Sequence, residues 1–372
     1  MNRSELPVRA ALLLFACALP LMSPVTAQED GQGDFAGNSA RQRQAYENHV
    51  LVSNGAVAAD FNDPNLVNGW GVAFNPTAFV WVAAADSGKA VLYDGVGQPQ
   101  SLVVTVPGPN GEPGNPTGIV FSGGTDFVVT NGSAVGPARF IFATENGTIA
   151  GWAPNVNVTN AFTAVNNSAF GASYKGLALS GNGTTHLLYA TDFHNARIDV
   201  FDGNFKPVRV PGGFVDPRLP RGFAPFGIQA INGDLYVTYG KQDEDAEEKV
   251  KGQGLGIVNV FDPEGNLVRR LVTRGELNAP WGLALAPASF GEFGGALLVG
   301  NFGDGHINAY GPRSGRFLGT LRGIDHKRLQ VDGLWGMQFG NGILKQPSNA
   351  LFYAAGPADE SGGAYGMITA VK

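Results

Sequence analysis

Cysteine is almost missing from this chain: Cys17 is the single one in 372 residues. Charged residues are scarce too, at 15%, where a globular chain usually carries about 25%. The first scarcity excludes a disulfide framework and a cysteine-based zinc site and, once Cys17 is removed with a leader, any thiolate chemistry. Basic residues do not cluster and the net charge is -6, so nucleic acid, whose binding rests on neutralising phosphates, is not an expected partner. No apolar run reaches the ~20 residues of a membrane helix, so no transmembrane span is expected. A Gly-x-Ser-x-Gly elbow, a His-Glu-x-x-His helix, a phosphate loop and a dinucleotide fingerprint are all absent, and with them the commonest local signatures of hydrolases, metalloproteases and nucleotide enzymes.

The first residues read as an export signal. Arg3 and Arg9 precede the apolar run Ala10 to Leu19, and Val25-Thr26-Ala27 supplies the small-x-small pattern of a cleavage site near Ala27. The expectation is a signal peptide over 1–27, a flexible leader over 28–48 and a secreted or periplasmic protein. Leu14 to Cys17 loosely matches a lipobox, but Phe15 is bulky for it and the apolar run continues to Met22, which makes lipidation at Cys17 the lesser reading.

What is abundant is glycine, 54 residues of it, with 23 prolines. The glycines follow no three-residue period, which excludes collagen, and the apolar content excludes a disordered chain. They fall instead on a repeat. Trp70-Gly71-Val72, Thr117-Gly118-Ile119, Lys175-Gly176-Leu177, Phe226-Gly227-Ile228, Trp281-Gly282-Leu283 and Trp335-Gly336-Met337 each open a short apolar strand. Second strands follow at Phe79 to Ala84, Phe127 to Thr130, Leu187 to Thr191, Leu235 to Tyr239, Ala296 to Gly300 and Ala350 to Ala354. A polar turn and further strands come after each. Four antiparallel strands per unit in six units predict an all-β fold, a six-bladed β-propeller over 49–372. The recurrent glycine belongs where inner strands crowd the axis and a side chain would not fit. The last unit lacks a fourth strand, and His49 to Ser53 is expected to supply it and close the ring.

The phrases Thr191 to Asp202, Asn278-Ala279-Pro280-Trp281-Gly282, Gly300 to Gly305 and Asp332-Gly333-Leu334-Trp335-Gly336 resemble the NHL repeat and are similar to a family of exported bacterial six-bladed propellers. The resemblance spans about residues 49 to 371 and implies fold and export, with no established activity attached.

In a propeller the turns entering the inner strand and leaving the second strand share one face, around the channel mouth. The residues before the repeat glycines, Trp70, Lys175, Phe226, Trp281 and Trp335, are therefore candidate ligand contacts, the tryptophans through stacking on a sugar or another flat molecule, or else they pack between blades. At the second-strand exits stand Asp86, Asn131, Asp192 and Asn301, with Asp304 nearby, whose oxygens suit Ca²⁺ if they converge. His194 and His306 would then be candidate acids or bases for hydrolysis or lyase chemistry, as in propellers resembling gluconolactonases and streptogramin lyases. The competing expectation is that each Asp or Asn caps its own turn. No Glu is expected in either ring. The insertion Lys241 to Lys251, with five carboxylates and three lysines, is read as a solvated loop or a lid over the mouth. The whole is expected to be a monomeric scaffold binding a small molecule, glycan or protein, with a Ca²⁺-assisted enzyme as the alternative.

Overall fold

A computed structural model describes residues 44–181 and 186–371. The signal peptide and most of the leader expected from the sequence lie outside the described residues. Among those described, no helix is long and apolar enough to cross a membrane.

Six antiparallel sheets follow one another around an axis. Blade 1 runs from Gly69–Phe74 through Val80–Ala84 and Lys89–Tyr93 to Pro99–Thr105. Blade 2 is built from Pro116–Phe121, Phe140–Thr144, Thr148–Trp152 and Phe162–Asn166. Blade 3 has Tyr174–Gly181, His186–Asp192 and Arg197–Phe201. Blade 4 has Phe223–Ile231, Asp234–Gln242, Gly256–Phe261 and Leu267–Thr273. Blade 5 has Pro280–Leu285, Leu297–Asn301, Ile307–Tyr310 and Phe317–Thr320. Blade 6 has Leu334–Phe339, Leu351–Ala355 and Ala364–Ala370, and its outer strand is Tyr46–Ser53 from the other end of the chain.

The glycine ring accounts for the repeat. A Cβ built on Gly71 would stand 2.5 Å from the Thr117 carbonyl oxygen, and one on Gly282 2.5 Å from that of Trp335. Gly118 faces Leu177 and the Gly176 backbone, Gly176 faces Phe226, Gly227 faces Trp281, and Gly336 returns to Trp70. Each inner strand thus presses its glycine onto the next blade's backbone around that blade's own repeat glycine, and the sixth contact closes on the first. The Gly227 position is tighter than the two quoted. Gly227→Ala is expected to cost about 1–3 kcal/mol through overpacking, read as a lower urea midpoint at unchanged slope.

Three departures from the expected strands matter. The closing strand begins at Tyr46, three residues before His49, because the Tyr46 side chain is buried against Phe290 and Phe293 of blade 5 and its hydroxyl donates to the Phe290 carbonyl at 3.2 Å. In blade 2 the second strand is Phe140–Thr144; Val128–Thr130 instead pairs with Val135–Pro137 in a hairpin laid against that blade's outer strands. Blade 3 has three paired strands, its fourth position taken by a stretch that bonds back through Val208 N–H to the Val200 carbonyl at 2.9 Å. Pro207 and Pro211 bracket that stretch and remove donors a ladder needs.

Candidate functional site at the channel mouth

A break in strand register recurs at the start of every inner strand, at Gly69/Val72, Tyr174/Gly176, Pro225/Ile228, Pro280/Gly282 and Leu334/Met337, with its counterpart in blade 2 beside Pro116. Such bulges re-aim a side chain, and here the pre-glycine residues turn onto the axis. Trp70, Phe226 and Trp335 are fully buried in one cluster with Phe193 and Phe302, and Trp281 packs against it. Trp335 stacks on Trp70 at 3.4 Å between centroids and on Phe302 at 4.1 Å, and meets Phe226 and Trp281 edge-on. The Trp281 indole N–H crosses to the Lys175 carbonyl at 3.1 Å. The aromatic residues expected to face a flat ligand, or to sit between blades, lie on one another and plug the channel. Beyond the plug the axis is walled by Val72, Ile119, Leu177, Ile228, Leu283 and Met337.

Above the plug runs a belt of charges drawn from five blades. Lys175, 2% exposed, pairs with Glu145 and lies 4.0 Å from Glu248. Glu248 accepts from Lys249 at 2.9 Å, and Lys249, 5% exposed, also donates to Glu360. Asn68 donates to Glu360 at 3.1 Å and to Asp86 at 3.5 Å, while its oxygen accepts the Trp335 indole N–H at 3.2 Å. Burial pulls the Lys249 ammonium down, and the Glu360 and Glu248 charges more than reverse it. Burial acts against the Glu248 carboxylate as well, but Lys175 and Lys249 bring it below its ordinary range. Asp86 goes the other way: burial first, then the Glu145 and Glu360 charges, raise its carboxyl in spite of the Asn68 hydrogen bond.

A carboxyl raised on folding contributes stability below its unfolded pKa, near 4, and that contribution is lost as pH rises through the folded value. Asp86→Asn is therefore expected to raise the melting midpoint at pH 7 and to lose that advantage near pH 3. Calorimetry at the two pH values reads it.

The expected metal donors do not converge. Asp192 caps its turn, accepting from Ser173 N–H at 3.1 Å and the Asn195 side chain at 2.8 Å, with Arg197 at 3.3 Å. The Asn301 amide donates to the Glu276 carbonyl at 2.7 Å and to Asp304, and Asp304 accepts from His306 N–H at 3.0 Å. Asn131 caps the outlying hairpin through Ser133 and Ala134 N–H. Among the described residues no three acidic, His or Cys side chains are grouped to hold an ion. His194 lies half-buried beside Gly171, and His306 Nδ1 is 3.4 Å from Asp304. The two stand in different blades.

Two carboxylates of the belt escaped the sequence reading. Glu145, not Asn131, leaves the second strand of blade 2, so the ring does hold a Glu. Its signal was present in Ala143-Thr144-Glu145-Asn146-Gly147, which parallels Ala84-Ala85-Asp86-Ser87-Gly88. Glu360 stands in the corresponding loop of blade 6. The insertion Lys241–Lys251 does reach the mouth, through Glu248 and Lys249.

Among known proteins, the chain is 33% identical over 296 residues to the uncharacterized protein R648 of Acanthamoeba polyphaga mimivirus, covering 78% of this chain and 72% of that one. It is 32% identical over 296 residues to L690 of the same virus, covering 78% and 77%. The chain belongs to the family of these proteins. No family model matches it. The relatives found are viral, where the sequence resemblance pointed to bacterial propellers. Of solved structures, a Bacteroides thetaiotaomicron protein of unknown function matches with TM-score 0.53 at 14% identity, covering 88% of this chain and 77% of that one. Virginiamycin B lyase from Staphylococcus aureus matches with TM-score 0.50 at 12% identity, covering 88% and 100%. Both likenesses are of fold.

Proposed function

We propose that this chain, as a member of the family containing R648 and L690, is an exported NHL-type propeller that binds its ligand or a protein partner at the channel mouth, as a monomer. The observation that carries the reading is the belt itself. Lys175 and Lys249 are almost fully buried charges held by loops of separate blades, and burying charge costs stability unless every partner is in place. Such concentrations of buried ionisable groups in one loop cluster mark functional sites.

A thermal-shift panel of amines, amino acids, sugars, sugar acids and flat aromatics tests it. At least one compound is expected to raise the midpoint of the wild type and to do so less for Glu360→Gln. A panel in which nothing acts, or acts equally on both, counts against the reading. A Ca²⁺-assisted hydrolase or lyase would need Asp86, Asn131, Asp192, Asn301 and Asp304 to share an ion, and apart from the neighbours Asn301 and Asp304 they stand on turns of different blades. Calcium and chelator are expected to leave the midpoint unchanged, read by calorimetry. A rise with calcium would reopen the enzyme reading.

A further inference from the structure

We propose that the mouth between blades 5 and 6 is a recognition site for primary ammonium groups, and that Lys249 and Lys251 occupy it from within the same chain. The proposal rests on the mouth being the binding face and names the chemistry it takes.

The Phe302 ring and two carboxylates make the site, with the Trp335 indole stacked behind Phe302. The Lys249 ammonium lies 4.4 Å from the Phe302 ring centroid and 5.1 Å from that of Trp335. The Lys251 ammonium lies 4.7 Å from Phe302. Both Phe302 distances fall inside the ~6 Å over which a ring face attracts a cation, while the faces of Trp335 are taken by Trp70 and Phe302. Glu360 accepts from Lys249, and Asp359 stands 3.6 Å from Lys251. The aromatic rings belong to blades 5 and 6, the carboxylates to blade 6 and the lysines to blade 4.

Each half is held by its own backbone. Ala358, Asp359 and Glu360 have φ of 56°, 54° and 69°, three consecutive non-glycine residues in a left-handed region that such residues seldom enter. The Ala358 N–H donates to Asp332 at 3.0 Å and holds this segment down. Opposite it, Lys249–Val250 pairs as a short strand with Lys241–Gln242. In an extended segment residues at i and i+2 share a side, so both lysines project together while Val250 turns outward and is exposed. The corresponding turn of blade 1 is only Asp86-Ser87-Gly88. The blade therefore does not need the insertion, and the insertion delivers two ammonium groups to one ring.

A ligand carrying two primary ammonium groups on a flexible aliphatic stem satisfies the same contacts. A polyamine and a Lys-x-Lys stretch of a partner share that chemistry. The tethered lysines compete with it, so the apparent affinity of the wild type is the intrinsic one scaled by the fraction of chains whose loop has left.

The test titrates the full chain and the Lys249→Ala/Lys251→Ala variant with spermidine and with the tripeptide Lys-Val-Lys, by calorimetry and by Trp emission. The variant is expected to bind at least one probe about tenfold tighter than the wild type or better, as release of the internal competitor requires. Phe302→Leu or Asp359→Asn in that background is expected to remove the gain. Stronger binding of the tripeptide assigns a protein segment, and stronger binding of spermidine a free amine. A cooperatively folded variant that binds neither probe, or binds no better than the wild type, overturns the proposal. If the variant does not fold, hydrogen exchange of the wild type decides: spermidine is expected to speed exchange over residues 243–251, and no change overturns the proposal. A non-cationic panel ligand that protects the mouth while both ammonium probes fail overturns this proposal and leaves the mouth-face reading standing.

Discussion

Trp335→Ala is expected to lower the folding stability by about 3–5 kcal/mol, the upper range for removing a buried aromatic side chain. The indole is fully buried and sandwiched between Trp70 and Phe302. Phe226 and Trp281 present their edges to it, and its N–H holds the Asn68 side chain that also anchors Glu360. Its loss opens a cavity where several blades meet, and a closed ring cannot collapse into it without moving inner strands that touch glycine to backbone. Urea unfolding reads the effect. Trp335→Phe is the companion: it keeps most of the ring packing, loses the hydrogen bond to Asn68, and is expected to cost well under half as much. Equal losses in the two would assign the effect to the hydrogen bond, and a loss below ~1 kcal/mol in the first would show that the axis is loosely filled.

A chain that begins at Asn54 is expected to lose cooperative folding altogether. Tyr46–Ser53 is the outer strand of blade 6 and pairs with Ala364–Ala370 along its length. Tyr46, Leu51 and Val52 are buried, the first in the core of blades 5 and 6 and the others against blade 1. Removing three such side chains forfeits roughly 5–9 kcal/mol at ~1.5–3 each, which is comparable with the ~5–15 kcal/mol of net stability a protein of this kind possesses. The strand Ala364–Ala370 would also become a bare edge open to pairing with another chain. Size-exclusion chromatography and a thermal scan read the outcome: aggregation or a broad, non-cooperative transition. A sharp transition near the wild-type midpoint would show that the ring closes without this strand.

The sequence made the architecture legible because one steric demand recurs. Six glycines must touch six neighbouring backbones, and nothing but glycine answers that demand, so the period is written in a single residue type. The closing strand was legible for a similar reason, since a sheet edge at one end of the chain required a partner at the other. The mouth was less so. The pre-glycine residues were found, but their direction depends on a register break that leaves no residue-type signature, and so their packing on one another could not be read. Asn131 was placed in the ring because an inserted hairpin begins with a strand-like Val128-Val129-Thr130, while the true second strand comes only at Phe140–Thr144, with Glu145 after it. Glu360 was hidden for a different reason: its loop adopts positive φ at Ala358, Asp359 and Glu360 without a glycine to announce it. The length and charge of the blade 4 insertion were visible, and its place over the mouth followed from topology, but which of its eleven residues descend onto the plug followed only from the side chains.

Binding at the channel mouth is the proposal on which the rest depends. Hydrogen exchange of the full chain, with and without whichever panel compound gives the largest thermal shift, tests it most directly. Slowed exchange, or loop exchange altered by displacement, is expected to be confined to residues 65–71, 145–147, 243–252 and 356–362, the segments that carry the belt and the ends of its plug. Protection confined instead to the outer surface of blade 3, around Arg197, Val208 and Val210, with the mouth unaltered, would contradict it.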